Sequence, residues 1–254
     1  MPLSTPADSE PLSAAILADL EAWARLSGWS RQHVKSVERF HKHLGEPDPF
    51  RVLDVGCALG GLLEELAGWG QRAGVCLELV GVERSEEVVA QARERLGDRA
   101  IIHRVDSLVA LGGPPEAYHL ATAALVLNQL SGPDRLRLVA ELCRVARTAY
   151  VFDVTPSVAG EVGARLIPFL TRLRDAPPAD WVHTLERAPT LDEVVRLVAP
   201  LPVEVVRVFP SAVCTQPEPR ERARVDRAAG EPAKVVFDTP EILPGTVGSE
   251  RRAD

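Results

Sequence analysis

Short apolar runs alternate with amphipathic segments through the middle of the chain. The runs predict buried β-strands, and the segments with an apolar residue every three or four positions predict helices. The alternation predicts an α/β fold, with a doubly wound, mostly parallel sheet and helices on both faces. The predicted strands are 51–55, 77–82, 100–105, 119–127, 149–154 and 202–208. The predicted helices between them are 61–72, 86–96, 134–146, 157–173 and 191–198.

Two helices are predicted ahead of the first strand. Apolar residues recur at helical spacing from about residue 13 to residue 44, and Gly28 interrupts the pattern. One interpretation is that this pair packs against the edge of the sheet. The other is that it forms a lid over a ligand site and carries Trp23, Trp29 and His33. The two interpretations are compatible.

The chain is expected to divide into three regions. Residues 1–49 form an amino-terminal helical extension. Residues 50–216 form the core, which contains an insertion on the substrate side at about 156–189. Residues 217–254 are predicted to contain a loop, a possible last strand and a flexible tail, because 217–231 are charged with Pro and Gly and 239–254 have the composition of a flexible segment.

Composition excludes several classes of function. The chain has 254 residues, 46% hydrophobic and 26% charged, as expected for one globular domain with additions. Its formal net charge of −7 argues against nucleic-acid binding, which depends on Lys and Arg neutralising phosphates. There is no apolar run of membrane-spanning length and no signal-peptide pattern, so a cytoplasmic protein is expected. The four cysteines are far apart, and no metal site is predicted.

A glycine-rich turn follows the first predicted strand. Residues 51–55 lead into Gly56, Gly60 and Gly61 before helical spacing resumes. Glycines suit such a turn because they accept positive φ and let a ligand approach the backbone. Asp54 lies inside the apolar strand, where an ionised carboxylate is costly unless it has a partner.

Three acidic residues lie at the ends of successive strands. Asp54 is near the end of the first strand, Glu83 directly follows the second and Asp106 directly follows the third. Ligands of a doubly wound sheet bind beyond the carboxyl ends of its strands. Carboxylates can accept hydrogen bonds from ribose hydroxyls, from the exocyclic amine of adenine and from an ammonium group. The three acids therefore indicate a ligand with an adenosine at one end and an amino acid at the other.

In these motifs the chain resembles the class I S-adenosylmethionine-dependent methyltransferases. Residues 52–60 resemble the first motif of that family. Gly81–Ser85 resembles the second, with the acid that binds ribose at Glu83. Residues 105–107 resemble the third motif, which contacts adenine, and residues 120–130 resemble the fourth.

A closer resemblance is to the small-molecule methyltransferases of the type 11 or type 12 kind. It rests on the upstream segment 19–26 and on Arg187–Thr190 before a late helix. This resemblance implies a Rossmann-like sheet of seven strands, mostly parallel with an antiparallel last strand, preceded by helices. The last strand has two candidate positions, 211–215 and 233–238, and the apolar pattern does not choose between them.

The resemblance also implies the cofactor and its site. The methyl donor would be S-adenosylmethionine and the product S-adenosylhomocysteine. The chain departs from the family pattern at two places: Ala58 stands where a second glycine is usual, and Asn128-Gln129 stands where many relatives carry histidine. The implied cofactor-binding residues are Asp54, Gly56, Cys57, Ala58, Gly60, Glu83, Arg84, Asp106, Ser107 and Asn128.

The acceptor is expected to be a small molecule methylated on oxygen or carbon, by a monomer or homodimer of EC class 2.1.1.-. The candidate catalytic residues are His183 in the insertion, Asn128 at the end of the fourth strand and His33 in the amino-terminal helices. Asp153, at the end of the fifth strand, is a further candidate base. The alternatives are a protein or RNA methyltransferase, a non-catalytic protein of the same fold and an NAD(P)-binding oxidoreductase.

Overall fold

Helices and strands alternate as the apolar pattern predicts. The computed structural model describes residues 13–26, 28–154, 188–201, 203–208, 211–215 and 235–237. The helices are α1 (Ala14–Leu26), α2 (Trp29–His43), α3 (Gly61–Ala73), α4 (Glu86–Leu96), α5 (Gly132–Val145) and α6 (Leu191–Val198). The strands are β1 (Phe50–Val55), β2 (Leu77–Glu83), β3 (Ile101–Arg104), β4 (Tyr118–Ala124), β5 (Ala146–Val154), β6 (Glu204–Val208), β7 (Ser211–Thr215) and β8 (Val235–Phe237).

All eight strands belong to one sheet, in the order β3-β2-β1-β4-β5-β7-β6-β8. The five strands from β3 to β5 run parallel, as expected for strands connected through helices. β7 is antiparallel to β5 and β6, and β8 is parallel to β6. The strand order reverses between β1 and β4, so the carboxyl ends of these two strands flank the usual ligand position of a doubly wound sheet.

The Rossmann-like parallel core is confirmed, but the expected count of seven strands is wrong. Residues 211–215 and 235–237 are both strands, so the two candidate positions are both occupied. The antiparallel strand β7 is consequently followed by β8 and is not the last. The predicted helix 157–173 and nearly all of the predicted insertion lie outside the described residues.

The fourth strand is shorter than its apolar run. The run predicts a strand over 119–127, whereas β4 ends at Ala124. Leu125 has a φ of 58°, a left-handed conformation that ends the strand, and Leu127–Gln129 forms a short 3₁₀ turn. Val126 is nevertheless 3% exposed. The apolar run therefore indicates which residues are buried, and the buried segment continues past the end of β4.

The two faces of the sheet pack against different helices, as the alternation of side chains along a strand requires. Leu53 and Val55 belong to the apolar core that α5 and α6 cover. Phe50 and Val52 belong to the core on the opposite face, which α2, α3 and α4 cover. By the same alternation Asp54 lies on the face of Val52.

The amino-terminal helices meet the sheet on this second face. Gly28 separates α1 from α2 with a φ of 79°, as the sequence pattern predicts. Val37 of α2 is fully buried, and the Trp29 and Phe152 ring centroids are 4.6 Å apart. Among the described helices, none is long and apolar enough to cross a membrane.

Candidate functional site

A cleft of about 1060 Å³, including its open mouth, lies beyond the carboxyl ends of β1, β2 and β4. α1 and the first turns of α2 form one of its walls. The residues that line it are Leu17, Leu20, Glu21, Ala24, Arg25, Trp29, Ser30, His33, Asp54, Gly56, Cys57, Ala58, Gly61, Leu62, Glu65, Glu83, Arg84, Leu108, Ala124, Leu125, Val126 and Gln129.

The glycine-rich turn closes one end of this cleft. Gly56 has a φ of 72°, and a Cβ atom there would lie 2.7 Å from the Val126 side chain. Gly60 has a φ of 80°, and its Cβ atom would lie 2.6 Å from Leu96 of α4. The conformation and the space both require glycine at these positions. Gly60 packs against α4 and, unlike Gly56, is not among the described residues that line the cleft.

Asp54 is the buried acid that the sequence predicts. Its side chain is 3% exposed, and its Oδ1 atom has no hydrogen-bond partner within the described chain. It lies beside Gly81 of β2 and Thr122 of β4 in the strand register. Burial, together with the charges of Glu83 and Glu21, raises the pKa of Asp54 to about 7. A buried carboxylate oxygen without a donor is suited to a cationic group of a ligand.

Glu83 is held at the end of β2 by backbone donors. Its Oε1 atom accepts hydrogen bonds from the N–H groups of Arg84 at 2.7 Å and Ser85 at 3.2 Å. Its Oε2 atom accepts one from the N–H group of Ala58 at 3.2 Å. Oε1 therefore has both of its acceptor positions in use, and Oε2 can accept one further hydrogen bond. These contacts fix the orientation of the carboxylate and join the end of β2 to the glycine-rich turn.

Ala58 occupies the position where the family pattern has glycine. Its φ of 48° is in the left-handed region, which favours glycine over alanine. The chain accepts this conformation while the N–H group of Ala58 donates to Glu83. Ala58 also lines the cleft, so its methyl group lies where glycine would leave more space for a ligand.

Glu21 reaches the same region from α1. Its Oε1 atom accepts a hydrogen bond from the N–H group of Gly61, the first residue of α3, at 3.0 Å. Its Oε2 atom pairs with Arg95 of α4, which also pairs with Glu64 of α3. A carboxylate at a helix amino terminus is stabilised by the unpaired N–H groups and by the helix dipole.

The described wall of the cleft is acidic. Carboxylates outnumber guanidinium groups on it, and burial raises the pKa of one of them, Glu65. Such a field favours a ligand with a net positive charge. The carboxylates are Glu21, Asp54, Glu65 and Glu83, and the guanidinium groups are Arg25 and Arg84.

His33 lies on the apolar side of the cleft. Its Nε2 atom is 3.1 Å from the Thr122 hydroxyl oxygen in a buried hydrogen bond. Its ring centroid is 5.0 Å from that of Tyr150 and 4.8 Å from that of Phe152. Burial lowers the pKa of His33 to about 3. The imidazole is therefore neutral at physiological pH and is a weak proton acceptor.

Asn128 and Asp153 form a buried pair outside the cleft. The Asn128 amide donates to Asp153 Oδ1 at 3.3 Å, and the N–H group of Leu127 donates to Asp153 Oδ2 at 2.7 Å. Asp153 alternates with Phe152 and lies on the face of Val151, opposite to that of Asp54. Neither Asn128 nor Asp153 is among the described lining residues. The expectation that Asn128 faces the cleft fails because β4 ends early and the chain turns it inward.

The third acid of the pattern is exposed. The side chain of Asp106 is 88% exposed and forms an ion pair with Arg104 at 3.0 Å. Ser107 accepts a hydrogen bond from the N–H group of Val109 at 3.3 Å. Leu108, the next residue along the chain, is the one from this segment that lines the cleft. In the described structure, Asp106 and Ser107 do not join Asp54 and Glu83 in the cleft wall.

The remaining predicted residues are of three kinds. Arg84 and Cys57 line the cleft, and burial raises the pKa of the Cys57 thiol, which keeps it protonated. His183 lies outside the described residues. Within the part of the chain that the structure describes, no cluster of His, Cys, Asp and Glu side chains is arranged to hold a metal ion.

Sequence reasoning missed the contribution of α1 to the acidic wall. Leu17, Glu21 and Arg25 recur every four residues, which puts them on one face of a helix. All three line the cleft. Glu21 and Arg25 continue the apolar face of α1 that contains Leu17. Because the apolar face of a helix packs against the rest of the protein, this pattern could have predicted that the two charged side chains face inward.

The parallel core is similar to known methyltransferases. Residues 52–149 match a family model described as a methyltransferase domain, which covers β1 to β5 and the glycine-rich turn. The methyl donor of that family is S-adenosylmethionine. No curated protein is significantly similar to the chain in sequence.

Solved structures of methyltransferases have a similar fold. An S-adenosylmethionine-dependent methyltransferase from Aquifex aeolicus is 19% identical, with a TM-score of 0.55 over 81% of this chain and 98% of its own. The plantazolicin methyltransferase BpumL, in complex with S-adenosylhomocysteine, is 14% identical, with a TM-score of 0.55 over 76% of this chain and 74% of its own. The methyltransferase domain CMeT of the citrinin polyketide synthase is 15% identical, with a TM-score of 0.54 over 74% of this chain and 53% of its own.

Proposed function

We propose that this protein is an S-adenosylmethionine-dependent methyltransferase that methylates a small molecule, because residues 52–149 match a family model described as a methyltransferase domain. The methyl donor is S-adenosylmethionine, and the acceptor atom is an oxygen or a carbon. The cleft beyond β1, β2 and β4 is the proposed site of both substrates.

One observation carries the donor site: the unpartnered Oδ1 atom of the buried Asp54 in an acidic cleft. When bound, the donor supplies an activated methyl group on a sulfonium, and it also carries an ammonium group. Asp54 would hold that ammonium group directly or through water. Glu83, already oriented by three backbone donors, has one acceptor position left on Oε2 for a ribose hydroxyl.

Asp106 and Ser107 have a weaker claim in this proposal. The resemblance implies that they contact adenine, but Asp106 is largely exposed and paired with Arg104. We assign them at most a peripheral contact at the adenine end of the donor. Gly60 supports the turn through its packing against Leu96 and does not touch the donor.

The apolar side of the cleft supports a small and largely apolar acceptor. Its side chains exclude water and orient the acceptor toward the donor. Alignment of this kind contributes up to ~7–11 kcal/mol in ideal intramolecular systems. The side chains are Leu17, Leu20, Ala24, Trp29, Leu125 and Val126.

The three predicted catalytic residues have different roles in this proposal. His33 is neutral and bonded to Thr122, so it positions the acceptor and does not remove its proton. Asn128 supports the end of β4 through Asp153 and does not touch the substrate. His183 is the proposed general base, which would matter for a phenol or enol acceptor.

A protein or RNA acceptor is less well supported. Such acceptors call for basic surface beside the site, whereas the described wall of the cleft has more carboxylates than guanidinium groups.

Calorimetric titration of the purified chain tests the proposed donor. We expect S-adenosylmethionine and S-adenosylhomocysteine to bind with micromolar dissociation constants and NADH not to bind. Binding of NADH alone would support an oxidoreductase and overturn the donor assignment. Binding of both sulfur ligands would then justify a search for the acceptor with isotopically labelled donor.

A further inference from the structure

Glu21 lines the cleft but lies outside the sequence motifs of the core. It belongs to α1, and its side chain is 16% exposed. Its Oε1 atom accepts the hydrogen bond from Gly61, and its Oε2 atom pairs with Arg95. The amino-terminal extension thus supplies a carboxylate to the turn that the first motif of the core builds.

The absence of a side chain at Gly61 makes this approach possible. A Cβ atom at Gly61 would lie 2.6 Å from Cδ and Oε2 of Glu21, closer than real Cβ contacts. The space beside the first turn of α3 is therefore filled by the carboxyl group of Glu21. The amino terminus of α3, where an anionic part of a ligand would otherwise bind, already has its carboxylate.

Glu21 also acts electrostatically on the unpartnered acid. Its charge is one of the causes, after burial and Glu83, that raise the pKa of Asp54. Asp54 Oδ1 is buried without a donor in the described chain, and both carboxylates line one cleft. The charge of Glu21 opposes the ionisation of Asp54, so a positive group bound beside both carboxylates in the cleft would relieve this repulsion.

We propose that Glu21 is a specificity-determining residue that, together with Asp54, receives the ammonium group at the amino-acid end of the donor. The inference rests on the proposed function, because it names the group of the donor that Glu21 contacts. In this proposal α1 covers the donor site and also supplies one of the residues that bind the donor. The donor's own carboxylate is correspondingly excluded from the amino terminus of α3.

The test compares two ligands that differ only in the ammonium group. S-Adenosylhomocysteine and its deaminated analogue are titrated into the full chain and into the variant Glu21→Gln. Gln keeps the shape of Glu21 and its acceptor for the Gly61 N–H group, and it removes the charge. We expect the affinity for S-adenosylhomocysteine to fall about tenfold or more, as for a lost charge-assisted hydrogen bond. The affinity for the deaminated analogue should change less than about twofold.

Glu64→Gln is the matched control. Glu64 is the other carboxylate paired with Arg95, and it is not among the described lining residues. This variant should bind both ligands like the wild type. Gly61→Ala gives a second route to the same result, because its methyl group displaces the Glu21 carboxylate while alanine favours the helix. It should reproduce the loss for S-adenosylhomocysteine without a lower melting temperature.

Each other outcome overturns the inference. Equal loss of both ligands in Glu21→Gln would mean that Glu21 only shapes the wall. Tighter binding of S-adenosylhomocysteine would mean that Glu21 competes with the donor's carboxylate. Unchanged binding would mean that the donor does not reach Glu21, with the proposed function intact. If the wild-type chain binds no sulfur ligand, the proposed function fails as well, so the two failures are distinguishable.

Discussion

Two aspartates, at the carboxyl ends of β1 and β5, are almost equally buried. They differ in the hydrogen bonds that their carboxyl groups accept. Asp54 of β1 is 3% exposed and Asp153 of β5 is 2% exposed. Both Asp153 oxygens accept hydrogen bonds, from the N–H group of Leu127 and from the Asn128 amide. Asp54 Oδ1 has no partner in the described chain, although its carboxyl group faces a cleft.

The difference separates a structural acid from a binding acid. Asp153 stabilises the turn that follows β4, and its charge is compensated by neighbouring donors. Asp54 is destabilising as an anion in the free protein, since burial raises its pKa to about 7. Burial alone therefore does not identify the functional acid. The informative quantity is a missing hydrogen-bond partner at a buried atom that faces a cleft.

The largest effect is expected for Asp54→Asn. This change should weaken the binding of S-adenosylmethionine about 100-fold, because a buried carboxylate–ammonium contact is replaced by a neutral amide. Calorimetric titration measures it, and Glu78→Gln on the same sheet, outside the described cleft wall, is the control. Wild-type affinity in Asp54→Asn would remove the basis of the proposed donor site.

Asp54→Asn should also change how stability depends on pH. The folded-state pKa of Asp54, about 7, is above the ordinary aspartate pKa of 3.8 that applies to the unfolded chain. The stability that its protonated form contributes is complete below about pH 4 and is lost as pH rises through about 7. The free energy of unfolding of the variant, relative to that of the wild type, should therefore increase as pH rises from about 4 to about 7. The increase should be on the order of 4 kcal/mol at most. Denaturant unfolding at pH 5 and pH 8 measures it, and a larger gain at pH 5 would contradict the account.

A smaller loss of binding is expected for Glu83→Ala. Glu83 lines the cleft like Asp54, and its oxygens accept hydrogen bonds from the protein like those of Asp153. Its removal should weaken donor binding by about ten- to 100-fold, because the ribose contact and the orientation of the turn are both lost. Titration of Glu83→Ala and Glu83→Gln should show the smaller loss for Gln, which still accepts hydrogen bonds. Equal losses would assign the whole effect to charge.

Asp153→Ala should affect stability more than binding. The N–H group of Leu127 and the Asn128 amide would each lose a buried acceptor, at a cost of about 1–3 kcal/mol. In Asp153→Asn, a rotated Asn128 amide can present its unpartnered Oδ1 atom to the new side chain, so that variant should be closer to the wild type. Denaturant unfolding compares them. Equal stability of Asp153→Ala and the wild type would show that these hydrogen bonds contribute nothing.

The smallest effect is expected for Ala58→Gly. Glycine accepts the φ of 48° without the strain of a Cβ atom, and the backbone N–H group still donates to Glu83. The unfolded chain becomes more flexible, so the net gain should be no more than about 0.5–1 kcal/mol. A melting curve measures the change. Marked destabilisation would show that the methyl group of Ala58 makes a packing contact that outweighs its strain.

The sequence predicts the parallel core because its signals are local. Apolar runs mark β1 to β5, Gly28 separates the first two helices, and Asp54 stands out as an acid within an apolar strand. The end of β4 was misplaced, since residues 125–127 are apolar whether they lie in a strand or in a buried turn.

The composition of the cleft wall was less predictable because it depends on contacts between distant segments. The exposure of Asp106 follows from the path of the loop after β3, which no periodic pattern encodes. The pairing of Asn128 with Asp153 joins two strand ends that are 25 residues apart in sequence. Glu21 meets Gly61 across 40 residues. In that case the four-residue spacing in α1 could predict that Glu21 faces the protein, but it could not predict that Gly61 is the residue that Glu21 contacts.

The most direct test is a side-by-side calorimetric titration of Asp54→Asn and Asp153→Asn with S-adenosylhomocysteine. Both variants remove one buried negative charge and keep the size of the side chain. We expect Asp153→Asn to bind within about threefold of the wild type and Asp54→Asn to bind about 100-fold more weakly. Equal affinities for the two variants, or a greater loss in Asp153→Asn, would contradict it.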